Sequence, residues 1–160
     1  MKWILFICSA VVAIIFYIVN QMTVSPGTSS GNGNPAMLVG WVLIPVLIMM
    51  VLTWLKVIRM RALSKKFTIA GISFIALHLI VGIIYQRIAL DGYRNVIRKA
   101  LIERDGTVDE SYLTSITSGL TIHVNSQYFN VNTYLMFITA SLLIALVWHV
   151  WDLIDKGKEI

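Results

Sequence analysis

Few side chains in this sequence could do chemistry, and three of them are histidines: His78, His123 and His149. His78 and His149 fall inside long apolar runs, where a polar group is costly to bury and so needs a reason. Around His78, Gly71, Ile75 and Gly82 fall on the same side of a helix. Glycines there admit a close neighbour, so His78 is expected to face other helices and not lipid. It would serve as a neutral interhelical hydrogen-bonding group or, as the sharper alternative, in a proton relay, a quinone site or a haem site. His149 shares a helix face with Ser141, Ala145 and Asp152, so its imidazole is expected to meet Asp152 three residues on. His78 and His149 are thus the candidate cofactor positions. With Phe67 and Leu153 as edges, however, His78 lies about 16 Å deep and His149 about 6 Å, which argues against one iron between them. No cofactor and no metal are expected, and no catalytic residue is assigned.

The second group is cationic. Arg94, Arg98 and Lys99 form the candidate partner- or anion-binding set. Asp91 reaches Arg87 and Arg94 at helical spacing, whereas Arg98 has no acid one turn before it and Glu103 serves Lys99 alone. Arg98 is therefore expected to be the least neutralised charge, suited to a carboxylate or phosphate. The plainer alternative is that these residues face only water or lipid phosphates. Asp105 and Asp109 lack the ligand spacing of a calcium loop. There is no glycine-rich phosphate loop, no HExxH, no nucleophile elbow and no paired carboxylate within an apolar run. An enzyme is not expected.

These residues must be positioned by membrane-spanning elements. The 160-residue chain is 58% hydrophobic and only 13% charged, about half the charge of a soluble domain. Charged residues are missing over 53 positions (3–55), 20 positions (67–86) and 41 positions (111–151). A hydrocarbon core of about 30 Å takes about 20 apolar helical residues. Residues 20–36 are rich in Gly, Ser, Asn and Pro and are expected to form a flexible loop, and 111–130 is mostly polar. The prediction is an all-α bundle forming a single membrane domain, with spans at 3–19, 37–55, 67–86 and 131–151 and a lid at 87–130. The first run of 17 apolar residues is too long for a cleaved signal. Pro45 is expected to kink the second span.

Orientation follows from the basic residues. Segment 56–66 holds five of them and no acid, which marks the cytoplasmic side. Both chain ends would then be cytoplasmic, the lid outside, and the net charge of +5 a property of membrane loops, with no nucleic-acid site. Trp3, Trp54, Trp148 and Trp151 fall at inner ends and Trp41 at an outer one, as an aromatic belt requires. A cytoplasmic (plasma) membrane is the expected location.

In the lid, Tyr93, Val96, Ile97, Ala100 and Leu101 make an apolar stripe, so the third span should continue as an amphipathic helix to about Arg104. Asp105-Gly106 breaks it. Thr107 to Glu110 fits a capping box for a second short helix ending near Gly119, and 120–125 alternates weakly like a strand. The result would be a small helical hairpin. Cys8 is alone, which excludes a disulfide within the chain and any CxxC chemistry. Four spans with a small first and a large second outer loop resemble the layout of tetraspanins. This sequence lacks their Cys-Cys-Gly motif and loop disulfides, so the resemblance implies architecture only and carries over no functional residue.

The leading functional expectation is a non-enzymatic subunit, regulator or sensor, embedded in lipid and binding a protein partner or another copy of itself through the lid or the bundle. One alternative is an oligomeric pore or small transporter with Ser73, Thr139 and Ser141 on a lumen. The other is a redox, quinone or haem protein using His78.

Overall fold

The computed structural model describes residues 1–29 and 33–156, with nothing stated of the Lys156 side chain. It is helical: α1 (Lys2–Gln21), α2 (Ala36–Met60), α3 (Lys65–Asp105), α4 (Glu110–Thr117), a 3-10 turn (Ile122–Val124), α5 (Asn125–Tyr128) and α6 (Val131–Lys156). Four of these, α1, α2, α3 and α6, are long and apolar enough to cross a membrane. Only 17–22% of their most apolar windows is buried within the chain. Surfaces of that kind need a lipid solvent, and the chain is a multi-pass membrane protein.

Helix α6 is the hub, packed against both α2 and α3, while α1 packs on α2. One apolar cluster joins α1, α2 and Phe129 through Cys8, Val12, Phe16, Val19 and Met50. A second joins α2, α3 and α6 through Val51, Leu55, Ile58, Ile75, Ala145 and Leu146. Gly82 lies at the α3–α6 contact. A Cβ there would lie 2.8 Å from Met136 Sδ, so only glycine fits without a shift. Between helices in lipid, close backbone approach replaces the hydrophobic drive that water would supply. Helix α2 runs unbroken from Ala36 to Met60 with Pro45 inside it, since neighbouring helices support a freed carbonyl in such a bundle.

Helix α3, 41 residues long, extends about 60 Å at 1.5 Å per residue, about twice a hydrocarbon core. Its second half therefore stands clear of the bundle and helps to build a cap. Gly106, at φ +76°, ends it in a left-handed cap whose N–H bonds the Ile102 carbonyl at 2.8 Å. Helix α4 then folds back, setting Leu113 and Ile116 on Ile97 and Leu101.

Three local expectations are corrected. Asp109, not Thr107, caps α4, accepting from the N–H groups of Ser111 (2.8 Å) and Tyr112 (3.3 Å). A carboxylate caps as well as a hydroxyl, and this frees Glu110 for another partner. Within 120–125, Ile122–Val124 form a 3-10 turn leading into α5, and there is no strand, because so short an alternation has no second strand to pair with. Nor is the 20–36 loop loose where it is described: Val24 N–H donates to the Ile122 carbonyl, and Arg104 donates to the Gly27 carbonyl.

Candidate functional site

The cap is where the cationic candidates meet their surroundings. It combines the α1–α2 loop, α3 beyond residue 86, α4, the 3-10 turn and α5. Its apolar core is small, so polar ties carry much of its order. Asn34 and Asn125 exchange side-chain amide hydrogen bonds at 2.7 and 3.1 Å, with Asn125 fully buried. Asn34 also donates to the Leu120 carbonyl at 2.8 Å. Asn20 donates to the Phe129 carbonyl (2.8 Å), and Ser126 N–H donates to Thr23 Oγ1 (2.7 Å). At the junction with the bundle, Asn132 and Asn130 each donate to Gln86 Oε1 at 3.2 Å.

Arg98 is not the unneutralised charge that helical spacing suggests. Its Nε and Nη2 grip both oxygens of Glu110 at 2.9 Å, while Nη1 donates to Asn95 at 2.6 Å. Glu110 comes from α4, twelve residues on, beyond the reach of a one-helix search. Arg94 pairs with Asp91 at 3.1 Å and donates from Nε to Thr117 Oγ1 at 2.9 Å. Arg104 pairs with Asp105. The guanidinium of Arg98 holds the Glu110 carboxyl below its ordinary value, Arg104 does the same for Asp105, and hydrogen bonds from Ser111 and Tyr112 do so for Asp109. Arg98 and Arg94 thus tie α3 to α4, at its start and at its end. Lys99 is exposed and lies on another side of α3.

That other side has a character of its own. Counting from Ile88, Gly92, Val96, Lys99 and Ile102 stand at offsets 4, 8, 11 and 14, one stripe of the helix. Ile88, Val96 and Ile102 are 68%, 50% and 42% exposed, and Gly92 has open space where a Cβ would point. The opposite stripe (Tyr93, Ile97, Leu101) is the one covered by α4.

The histidines separate into three environments. His123, 3% exposed, sits in the cap beside the Asn34–Asn125 pair in sequence, its Nε2 buried without a partner. Burial pushes its pKa below the usual value. His78 is half-buried, with its Nε2 also buried and unpartnered. Gly71 approaches Leu146 and Gly82 approaches Met136, so His78, on their face, is turned to α6. His149 does not meet Asp152. Its Nε2 lies 3.2 Å from the Leu63 carbonyl in the α2–α3 turn, and Asp152 is taken by Arg59 at 2.6 Å. Same-helix spacing could not foresee these partners from α2 and its turn. The Gly71–Leu146 contact sets His149 level with residue 68, ten residues from His78, or about 15 Å along the bundle. The two histidines do not converge. Ser141 is fully buried and donates to the Ile138 carbonyl, whereas Ser73 is exposed, so these two do not line one lumen.

The amide ties of the cap were not visible as a motif. Their one trace in the sequence is a concentration of Asn and Gln at the ends of apolar runs. Comparison with known protein families, curated proteins and solved structures finds no match to this chain.

Proposed function

We propose that the chain is a non-enzymatic subunit of the cytoplasmic membrane that binds a protein partner through its cap. Both chain ends would lie in the cytoplasm and the cap outside, because the α2–α3 turn and the helix ends beside it carry the basic cluster of Arg59, Arg61, Lys65 and Lys66. The observation that supports partner binding is the stripe of Ile88, Gly92, Val96, Lys99 and Ile102. Three branched aliphatic side chains are left uncovered on the cap half of α3, whose other apolar stripe is covered by α4. Exposed apolar surface on a rigid element is typical of an interaction site. Lys99 in the middle of it calls for a carboxylate on the partner. Arg94 and Arg98 would then act from behind, holding α3 and α4 together as the support of that face.

Two substitutions test this reading. Lys99→Glu and Val96→Asp touch neither the α4 contact nor the amide ties, so folding and insertion should persist while a copurifying partner is lost. Full recovery of the same partner by both variants would contradict it. Orientation is checked with single cysteines: Glu103→Cys should react with an impermeant thiol reagent on intact cells, and Ser64→Cys should not. Asn125 is unsuitable for such labelling, being fully buried.

A further inference from the structure

At the end of the bundle opposite the cap, α2, the α2–α3 turn and α6 flank an open cavity of ≈ 650 Å³ lined by Arg59, Ala62, Leu63, His149, Asp152, Leu153 and Asp155, so that two carboxylates and one guanidinium border it. That volume lies within the range of ligand sites, about 300–1,000 Å³. Its depth is marked by Trp148 and Trp151, both exposed on α6, as belt tryptophans are at the level of lipid headgroups.

The cavity holds an incomplete hydrogen-bond set. A backbone carbonyl only accepts, so the Leu63 oxygen, 3.2 Å from Nε2, requires the ring hydrogen there. Neutral His149 then presents a lone pair at Nδ1, and Nδ1 is buried with no partner in a residue only 5% exposed. Buried acceptors without a donor are rare. Beside it, Arg59 bonds Asp152 through Nε (2.8 Å) and Nη2 (2.6 Å), both on Oδ2. Asp152 Oδ1 and the Arg59 Nη1 donors are therefore available to a second group. A small amphiphile with N–H donors at one end and an anionic oxygen at the other matches this set.

We propose that this cavity binds the phosphoethanolamine headgroup of a membrane lipid. The ammonium donates to Asp152 Oδ1 and, once a small tilt of the imidazole brings the buried Nδ1 to the cavity, to His149, and the phosphate meets Arg59. The exposed Arg61, Lys65 and Lys66 attract any phosphate, so they set no preference. Selectivity comes from Nδ1. A primary ammonium has three N–H donors, while a choline headgroup of equal charge has none.

The full-length protein in detergent is titrated with phosphatidylethanolamine, its N-methyl and N,N-dimethyl forms, phosphatidylcholine and phosphatidylglycerol, with binding read by native mass spectrometry. Affinity should fall stepwise along the methylation series, by about tenfold or more (about 1.4 kcal/mol per tenfold) from ethanolamine to choline. His149→Phe should abolish the difference, and Asp152→Leu, which removes the second acceptor, should reduce it. A photoreactive phosphatidylethanolamine should label α6 between Trp148 and Leu153 in the unmutated protein, which locates the site even if a variant fails to fold. Equal affinity across the series, phosphatidylglycerol binding as tightly as the ethanolamine lipid, selectivity that survives both substitutions, or labelling elsewhere would each overturn the proposal.

Discussion

The bundle and the cap hold together by opposite means. Within the spans, side-chain hydroxyls mostly bond their own helix, as Thr53 does to Met49, Thr139 to Leu135 and Ser141 to Ile138. The helices are joined by apolar clusters and by close approach at Gly71 and Gly82. In the cap the apolar cluster beyond the bundle is small, Ile97, Leu101, Leu113 and Ile116, and Val124 is buried as well. Its segments are joined by side-chain bonds that cross between them. Lipid gives little hydrophobic drive for helix association and severely penalises open backbone groups, so the bundle depends on shape. The cap works in water, where a small core needs polar ties. Volume changes should therefore damage the bundle, and polar or pH changes the cap.

The largest effect expected is at Gly82. Leucine there must displace Met136, and overpacking of this kind costs about 1–3 kcal/mol, occasionally more. The same change at Gly92, where space is open, should leave the melting temperature in detergent nearly unchanged. Equal losses at the two positions would break the contrast.

Next comes the buried amide pair. Asn125→Leu removes both bonds of the pair, leaving Asn34 its bonds with Leu120 and Ala36, and should destabilise the cap by about 1–3 kcal/mol, the range for two hydrogen bonds. Hydrogen exchange should quicken over 107–130, with α1, α2 and α6 still protected.

A third effect follows from pH. His123 is buried with its pKa lowered by loss of solvent, so the opened cap binds a proton more readily than the closed one. Stability should then fall as pH drops below the ordinary histidine value of 6.5 and keep falling to the lowered pKa. Asp105, Asp109 and Glu110 also have lowered values. Their contribution is present above their ordinary carboxyl range and is lost as pH falls through it. Exchange in the cap should quicken in two steps on acidification while the spans stay protected, and His123→Phe should remove the upper step alone.

The smallest effect concerns Arg98. Its pairing with Glu110 is bidentate but solvent-exposed, a class worth about 0–1 kcal/mol. Arg98→Gln should loosen α4 slightly, most at low salt where the pair is least screened, and still less than Asn125→Leu does.

The division of labour also explains what could be read from the chain alone. Four spans were legible because lipid forbids charge over about 20 residues, which leaves gaps that need no partner to interpret. The continuation of α3 to Asp105 was legible because Tyr93, Ile97 and Leu101 keep helical period and Gly106 ends it. Contacts between elements were not. Arg98 finds Glu110 on α4, His149 finds Leu63 in the α2–α3 turn, and Asp152 finds Arg59 on α2. Spacing along one helix holds no record of such neighbours. The Asn34–Asn125 pair spans 91 positions, and two isolated amides have no periodicity to betray them. The short alternation at 120–125 misled for the related reason that strand pattern has meaning only where another strand can pair.

The most direct measurement places a photoreactive amino acid at Val96 in the cap stripe and, separately, at Ile80, an exposed residue of the α3 span. Irradiation of native membranes should give one discrete protein adduct from Val96, lost when Lys99→Glu is added, and only lipid adducts from Ile80. A protein adduct from Ile80 with none from Val96 would move the binding surface into the bundle and contradict the role assigned to the cap.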